Sequence, residues 1–372
     1  MPHHALADLA KTMLAPLLPL KLGTVRAVVI STPDLARAAL TTNDAALASR
    51  PRVLGAQLLS FGCSDVTFAA AGPYHRMTRR VVVSELLSAR RVATYRRIRA
   101  NEVSRLLGHL AENASPVAPP VDLSECFLNL AKDVLFRVAF GSGFPHEKAA
   151  KLGAVTVMGL RGLLKNCLAD LCEFCDDIID ELISGKRERI SGDGDQDFVD
   201  ALLRLQKSPD IEVPLTDDNI KALVLDVFVA GSETSFLTLE WVMTELVRHP
   251  CILKKAQDQV RRVVGGDRGG VEESDLCHLH YLRAILKETF RLHPVVPLLV
   301  ARESVAHCTL GGYDIPAKTR VFINTFAMGR DPEIWDKPLE FRPERLENGG
   351  REIDLRDPEF RVLPFGGVGT SV

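Results

Sequence analysis

Along most of the chain the apolar positions recur at helical spacing, with extended segments near the start and near the end. VRAVVIS at 25–31 is β-branched and alternating, which predicts a strand, and Pro33-Asp34 opens a helix directly after it. Helical periodicity continues over about 73–112, 122–140, 146–184 and 197–206, while SGDGDQD at 191–197 is a loop by its Gly and Asp content. Thr216-Asp217-Asp218 is a cap for a long helix that His249-Pro250 stops. Two more helices are expected over about 250–264, ending before Gly265-Gly266, and over about 280–292. Beyond Pro294 the style changes. HCTLGGYDIPAKTRVFINT predicts a hairpin with turns at Gly311-Gly312 and around Pro316, and RDPEIWDKPLEFRPERLENGG is Pro-rich and irregular. No internal repeat or linker is visible, so the expectation is a single domain over residues 1–372, mainly α with small β-sheets.

Composition narrows the class. A chain of 372 residues with 46% hydrophobic and 25% charged residues can bury a large core. The net charge of −2 gives no whole-chain attraction to nucleic acid, so no nucleic-acid partner is expected. No uninterrupted apolar run reaches the roughly 18–20 residues that span a bilayer. MLAPLLPL at 13–20 is broken by Pro16 and Pro19 and lacks the basic start and cleavage site of a signal peptide, so the sequence as written reads as soluble and intracellular. Eight cysteines suit a reduced compartment. Cys167, Cys172 and Cys175 have the spacing of part of an iron–sulfur site, but a fourth ligand is missing and the helical periodicity favours packing. His3 and His4 are expected as solvated polar residues.

The long helix carries the first chemistry. IKALVLDVFVAGSETSFLTLEWVMTELV at 220–247 is apolar on nearly all sides and should run through the interior. A polar island, Ala230-Gly231-Ser232-Glu233-Thr234-Ser235, interrupts it. A helix-interior Gly costs about 1 kcal/mol against Ala, so something should approach the backbone there. A Thr hydroxyl can bond back one turn and open a polar pocket, and an acid beside it can relay protons. The alternative is the N-cap of a broken helix. In KETFRLHP, Glu288 and Arg291 share a helical face, and Arg345 of FRPERL could join them in a cluster that pins an irregular loop.

In combination these segments resemble the cytochrome P450 family, haem-thiolate monooxygenases, of the plant microsomal type and similar to the geraniol hydroxylase subgroup. AGSETS resembles the oxygen-activating stretch, with Glu233 as the acid, Thr234 as the hydroxyl, and Ala230 and Gly231 against the cofactor. ETFR resembles the family's E-x-x-R, and FRPERL the segment whose Arg345 completes that cluster. VARES places Arg302 where the family contacts a haem propionate. GPYHRMTRR resembles the W-x-x-x-R propionate helix, with His75 in place of Trp and Arg79 retained. LPFGG resembles the opening of the haem-binding loop, at Phe365 and Gly366. The resemblance implies a P450 fold with a long central helix, haem b, and an NADPH-dependent cytochrome P450 reductase as partner. It also implies insertion of one oxygen atom into a small lipophilic substrate, terpenoid or phenolic-like. The Arg-rich RRVATYRRIR at 90–99 is either a basic face for an acidic reductase or an ordinary solvated surface.

Three departures follow. Between about Gly141 and Asp197 the chain looks shorter than the family pattern, in the region that roofs the substrate pocket. The N-terminal anchor of the family is not seen; the resemblance implies the endoplasmic reticulum membrane, with a cytoplasmic location as the alternative. The haem loop reads F-x-x-G-x-R-x-C-x-G. Laid on Phe365, its second Gly falls on Val368, its Arg on Thr370 and its Cys on Val372. The fold is therefore expected to lack the C-terminal haem-ligand loop and the following helix, and no metal ligand is assigned. His278, His280 and Cys277 precede the Glu288 helix and offer no substitute. The thiolate is what favours O–O cleavage in this family. The alternatives are therefore an inactive paralogue or splice product truncated at both ends, and a scaffold that binds a hydrophobic ligand without redox chemistry.

Overall fold

A computed structural model describes residues 1–115, 119–141, 198–209, 211–265, 270–347 and 357–366. The expected helix over 146–184, the 191–197 loop and the Cys167–Cys172–Cys175 cluster lie outside the described residues, as does Val372. Helix α1 (Pro2–Thr12) starts on a proline, whose missing N–H is no loss in a first turn. Strands β1 (Leu17–Leu22) and β2 (Val25–Ile30) pair antiparallel from Leu17↔Ile30 to Leu22↔Val25, turning at Gly23 with φ +63°. Pro19 is tolerated because β1 is an edge strand. Helix α2 (Pro33–Leu40) follows, then α3 (Leu54–Leu59).

The helical run expected over 73–112 is divided into α4 (Pro73–Val82), a π turn at Val83–Leu87, α5 (Ala89–Thr94) and α6 (Arg96–Glu112). Ser88 is the cause of one break: its backbone is extended, with ψ 148°, and its hydroxyl accepts from Arg91 N–H as a new cap. Helices α7 (Leu123–Phe140) and α8 (Phe198–Gln206) precede the long α9 (Asp217–Arg248). Thr216 Oγ1 accepts from Asn219 N–H at 3.2 Å while Asn219 Oδ1 accepts from Thr216 N–H at 2.9 Å, a reciprocal cap at the expected start. Pro250 keeps His249 out of helical geometry, so α9 stops and α10 (Pro250–Val264) begins. Helix α11 (His280–Leu292), strands β3 (Arg302–Glu303), β4 (Cys308–Leu310), β5 (Tyr313–Ile315) and β6 (Arg320–Ile323), and the short α12 (Thr325–Met328) complete the order.

The chain falls into two compact units: residues 1–51 with 237–372, and residues 52–236. The first holds a sheet of order β1-β2-β6-β3, with β2 parallel to β6 from Ala27↔Arg320 to Ile30↔Ile323. The predicted hairpin is confined to β4 and β5, turning on Gly311 and Gly312 at φ +57° and +85°; the following RVFI leaves it to join the other sheet. Ile30, Leu40, Leu47, Val321 and Ile323 fill one core, and Leu246, Tyr281, Ile285 and Phe341 another. His3 and His4 are not simply solvated: His4 stacks on Phe326 at 4.4 Å and His3 meets it edge-on. The second unit packs Phe136, Phe140, Phe198, Leu202, Leu223 and Phe228 together, with Phe136 and Phe228 rings 4.4 Å apart. Among the described residues only α9 is long and apolar enough to cross a membrane, and its N-terminal half belongs to this core.

Candidate active site

The Glu288 cluster is the most fully built of the expected groups. Glu288 and Arg291 side chains are wholly buried, one turn apart on α11. The carboxylate accepts from Arg291 Nε at 2.8 Å and Nη2 at 2.7 Å, from Arg345 Nε at 3.0 Å and from Arg342 N–H at 2.9 Å. Arg291 also donates to the carbonyls of Gly329, Pro338 (2.6 Å) and Glu340 (3.0 Å), and Arg345 to those of Lys337 and Glu340, both 3.2 Å. The irregular 329–345 segment has no ladder of its own, and these guanidinium bonds supply one. Both groups are out of water, so this is not the weak pair that two exposed residues at this spacing would make.

In the second unit, α9 runs unbroken through the polar island, so the broken-helix alternative is set aside. Thr234 Oγ1 donates to Ala230 O at 2.7 Å and Ser232 Oγ to Phe228 O at 2.6 Å, the back-bonding expected of hydroxyls in a helix. Gly231 has a neighbour that explains it: a Cβ there would stand 2.8 Å from Leu135 Cδ1, so the glycine admits a side chain of α7. Lys132, one turn before Leu135 on the same face, lies in the field of Glu233. Burial lowers the Lys132 pKa, and the Glu233 charge opposes that shift. Glu233 and Thr234 thus sit on one turn, beside a cation.

The propionate candidates differ. His75 is buried on α4, and Arg79, one turn later, is half-buried, its guanidinium making no ion pair or hydrogen bond to another described residue. Arg302 is committed to Asp44: Nη1 lies 2.7 Å from Oδ1, and Asp44 is 2% exposed with Oδ2 unpartnered among the described residues. Phe365 is 71% exposed and meets Phe290 edge-on, and Gly366 has φ +71°. Arg79 therefore fits the acidic edge of a haem, Arg302 is already neutralised, and no cysteine stands in the described 357–366 segment. No group of three metal-ligating side chains occurs among the described residues. The basic 90–99 stretch is split between α5 and α6, and Arg91 and Arg99 donate to the Glu85 and Val92 carbonyls.

Two groups escaped the sequence reading. Asp226, on α9 one turn before Ala230, accepts from Val66 N–H and Thr67 N–H, both at 3.1 Å, and from Thr67 Oγ1 at 2.6 Å, beside buried Asp65. Glu245, 3% exposed, lies 2.8 Å from His293 Nε2 and 3.3 Å from His249 Nδ1 in a cavity of about 490 Å³ that Arg330 and Phe341 also line. Isolated acids in an apolar helix were the available signal.

Residues 1–367 match the family model Cytochrome P450, and the chain belongs to that family. Its members are haem-thiolate monooxygenases that act on lipophilic substrates and take electrons from reductases. Tryptamine 5-hydroxylase of Oryza sativa subsp. japonica is 71% identical over 99% of this chain and 75% of its own length. Cytochrome P450 71A1 of Persea americana is 41% identical over 98% of this chain and 77% of its own. Premnaspirodiene oxygenase of Hyoscyamus muticus is 37% identical over 99% and 76%. A zebra fish cytochrome P450 solved with abiraterone superposes with a TM-score of 0.83 at 27% identity, covering 100% of this chain and 86% of that one. The fold and the plant family type expected from the sequence are thereby shown, and family and fold imply haem.

Proposed function

We propose that this protein hydroxylates a small lipophilic aromatic amine, working as one domain at the endoplasmic reticulum membrane with an NADPH-dependent reductase. The carrying observation is its 71% identity, across 99% of the chain, to an enzyme named for tryptamine 5-hydroxylation. In this reading Arg79 and His75 would hold a haem propionate, with Arg302 contributing once released from Asp44. Ala230 and Gly231 would border the cofactor, Phe365 and Gly366 would belong to the loop that holds it, and Glu233 and Thr234 would deliver protons. Haem supplies the oxygen-activating centre; the chain's own residues orient the amine and manage protons.

A second reading rests on residue identity at the loop pattern, where Val372 falls on the position of the axial Cys. Residues 1–372 would then act as a non-catalytic family member. One experiment separates the two. The chain is reconstituted with haemin, reduced, exposed to carbon monoxide, and then incubated with tryptamine, reductase and NADPH. A red-shifted thiolate Soret band with ring-hydroxylated amine supports the first reading. No haem uptake, or a band typical of a nitrogen ligand without product, overturns it for this chain and supports the second.

A further inference from the structure

The segment 60–68 is an irregular loop with unusual backbone geometry. Phe61, Gly62 and Cys63 take φ of +47°, +79° and +66°, three successive residues in the left-handed region. A chain in that conformation needs to be held from outside. Its holder is Asp226. Both carboxylate oxygens are used, on two consecutive amides and one hydroxyl of the loop, and the acid sits one helical turn before Ala230. The loop is thus fixed on the order of 6 Å along the helix from the Ala230–Thr234 stretch.

A second acid makes the attachment conditional. Asp65, 3% exposed, accepts from Phe68 N–H at 2.6 Å. It precedes Val66 and Thr67, whose amides hold Asp226, and the Asp226 charge acts on it. The other titratable neighbours are Tyr74 of α4, whose hydroxyl donates to Ser64 O at 2.6 Å, and Cys63 in the loop itself, which Arg52 also influences. Lys221, five residues before Asp226, points its ammonium at the Phe61 ring, 5.9 Å away. No described cation bonds to either carboxylate.

We propose that Asp226 is a positioning residue that fastens the 60–68 loop to the central helix beside the oxygen-activating stretch, and that a proton on Asp65 controls the fastening. Protonated, the pair carries one negative charge and the loop stays docked. When the proton leaves to water, two charged carboxylates stand at the same attachment and the loop lifts. Burial and then the Asp226 charge push Asp65 up to about 7, which places the transition near neutrality.

The test is hydrogen exchange of the 60–70 segment in the full chain between pH 5.5 and 8.5, corrected for intrinsic rates. Protection is expected to fall about tenfold per pH unit below pH 7 and to level off above it, because the lifted loop returns Asp65 to an ordinary carboxylate. Asp65→Asn should make protection independent of pH. Asp226→Asn keeps an acceptor for the amides but removes the charge, and should move the slope to lower pH. Flat wild-type protection, or a slope that survives Asp65→Asn, would overturn the proposal.

Discussion

Removing Glu288 leaves the Arg291 guanidinium buried with no counter-charge, a change that typically costs 3–5 kcal/mol, so Glu288→Ala should lose about 4 kcal/mol. Arg342 N–H and Arg345 Nε lose their acceptor in the same step. The sharper variant is the double apolar replacement, Glu288→Met with Arg291→Met. For an ordinary buried ion pair that exchange is often neutral or stabilising. Here Arg291 also feeds three carbonyls. Glu340 O keeps Arg345 as a donor, but Gly329 O and Pro338 O lose Arg291. At about 1–3 kcal/mol for each orphaned group, the double variant should stay at least about 2 kcal/mol below wild type. Urea unfolding followed by tryptophan fluorescence reads this directly, because the Trp335 ring lies 5.3 Å from the Arg291 guanidinium carbon. A double variant as stable as wild type would refute the idea that the cluster works through the carbonyls of the 329–345 segment.

Two glycines should respond differently to alanine. At Gly231 the new Cβ meets only the end of a flexible side chain, 2.8 Å away, and the helix gains about 1 kcal/mol of propensity, so the urea midpoint should hardly move. At Gly329 the Cβ falls 2.2 Å from the Arg291 carbonyl oxygen, a backbone clash that should lower stability by about 1–3 kcal/mol or more. The raised Asp65 pKa means that the folded chain keeps a proton that the unfolded chain releases above about pH 4. Stability should therefore fall as pH rises from about 4 to about 7, by about 2–4 kcal/mol, and Asp65→Asn should flatten that part of the unfolding profile. His293 has the opposite sign: burial lowers its pKa against the opposing pull of Glu245, so stability should fall as pH drops below the ordinary histidine value. Trp241, stacked on the imidazole at 3.8 Å, should report that protonation by a fluorescence change that His293→Gln abolishes.

The sequence was legible where local chemistry decides the outcome. The Thr216 cap, the His249-Pro250 stop and the Gly311-Gly312 turn are short-range devices, and each stands where the residues placed it. Long-range choices were less visible. Nothing local says that Arg320–Ile323 leaves the hairpin to pair with Val25–Ile30, because β pairing is settled by burial across the whole fold. Ser88 was hidden for a different reason: a serine in an apolar period fits both a helix and a cap. Within the site, Glu288, Arg291 and Arg345 could be assembled from spacing and a family likeness. Asp226 and Asp65 could not, because their meaning arises only once a loop some 160 residues earlier docks against the helix.

The parallel pairing of β2 with β6 has a further consequence for how this chain is made. Ala27 leaves the ribosome roughly 290 residues before its partner Arg320, and at about 5–20 residues per second that gap lasts on the order of 15–60 s. During that interval the β1–β2 hairpin exists with its inner edge unclaimed, an apolar ribbon of Ala27, Val28, Val29 and Ile30 waiting for a neighbour. Residues 52–236 emerge in the meantime and have their own core to form. Successful synthesis therefore depends on keeping one short strand unoccupied until residues 320–323 arrive, which makes that strand the natural client of a chaperone and the first place where hurried production would go astray.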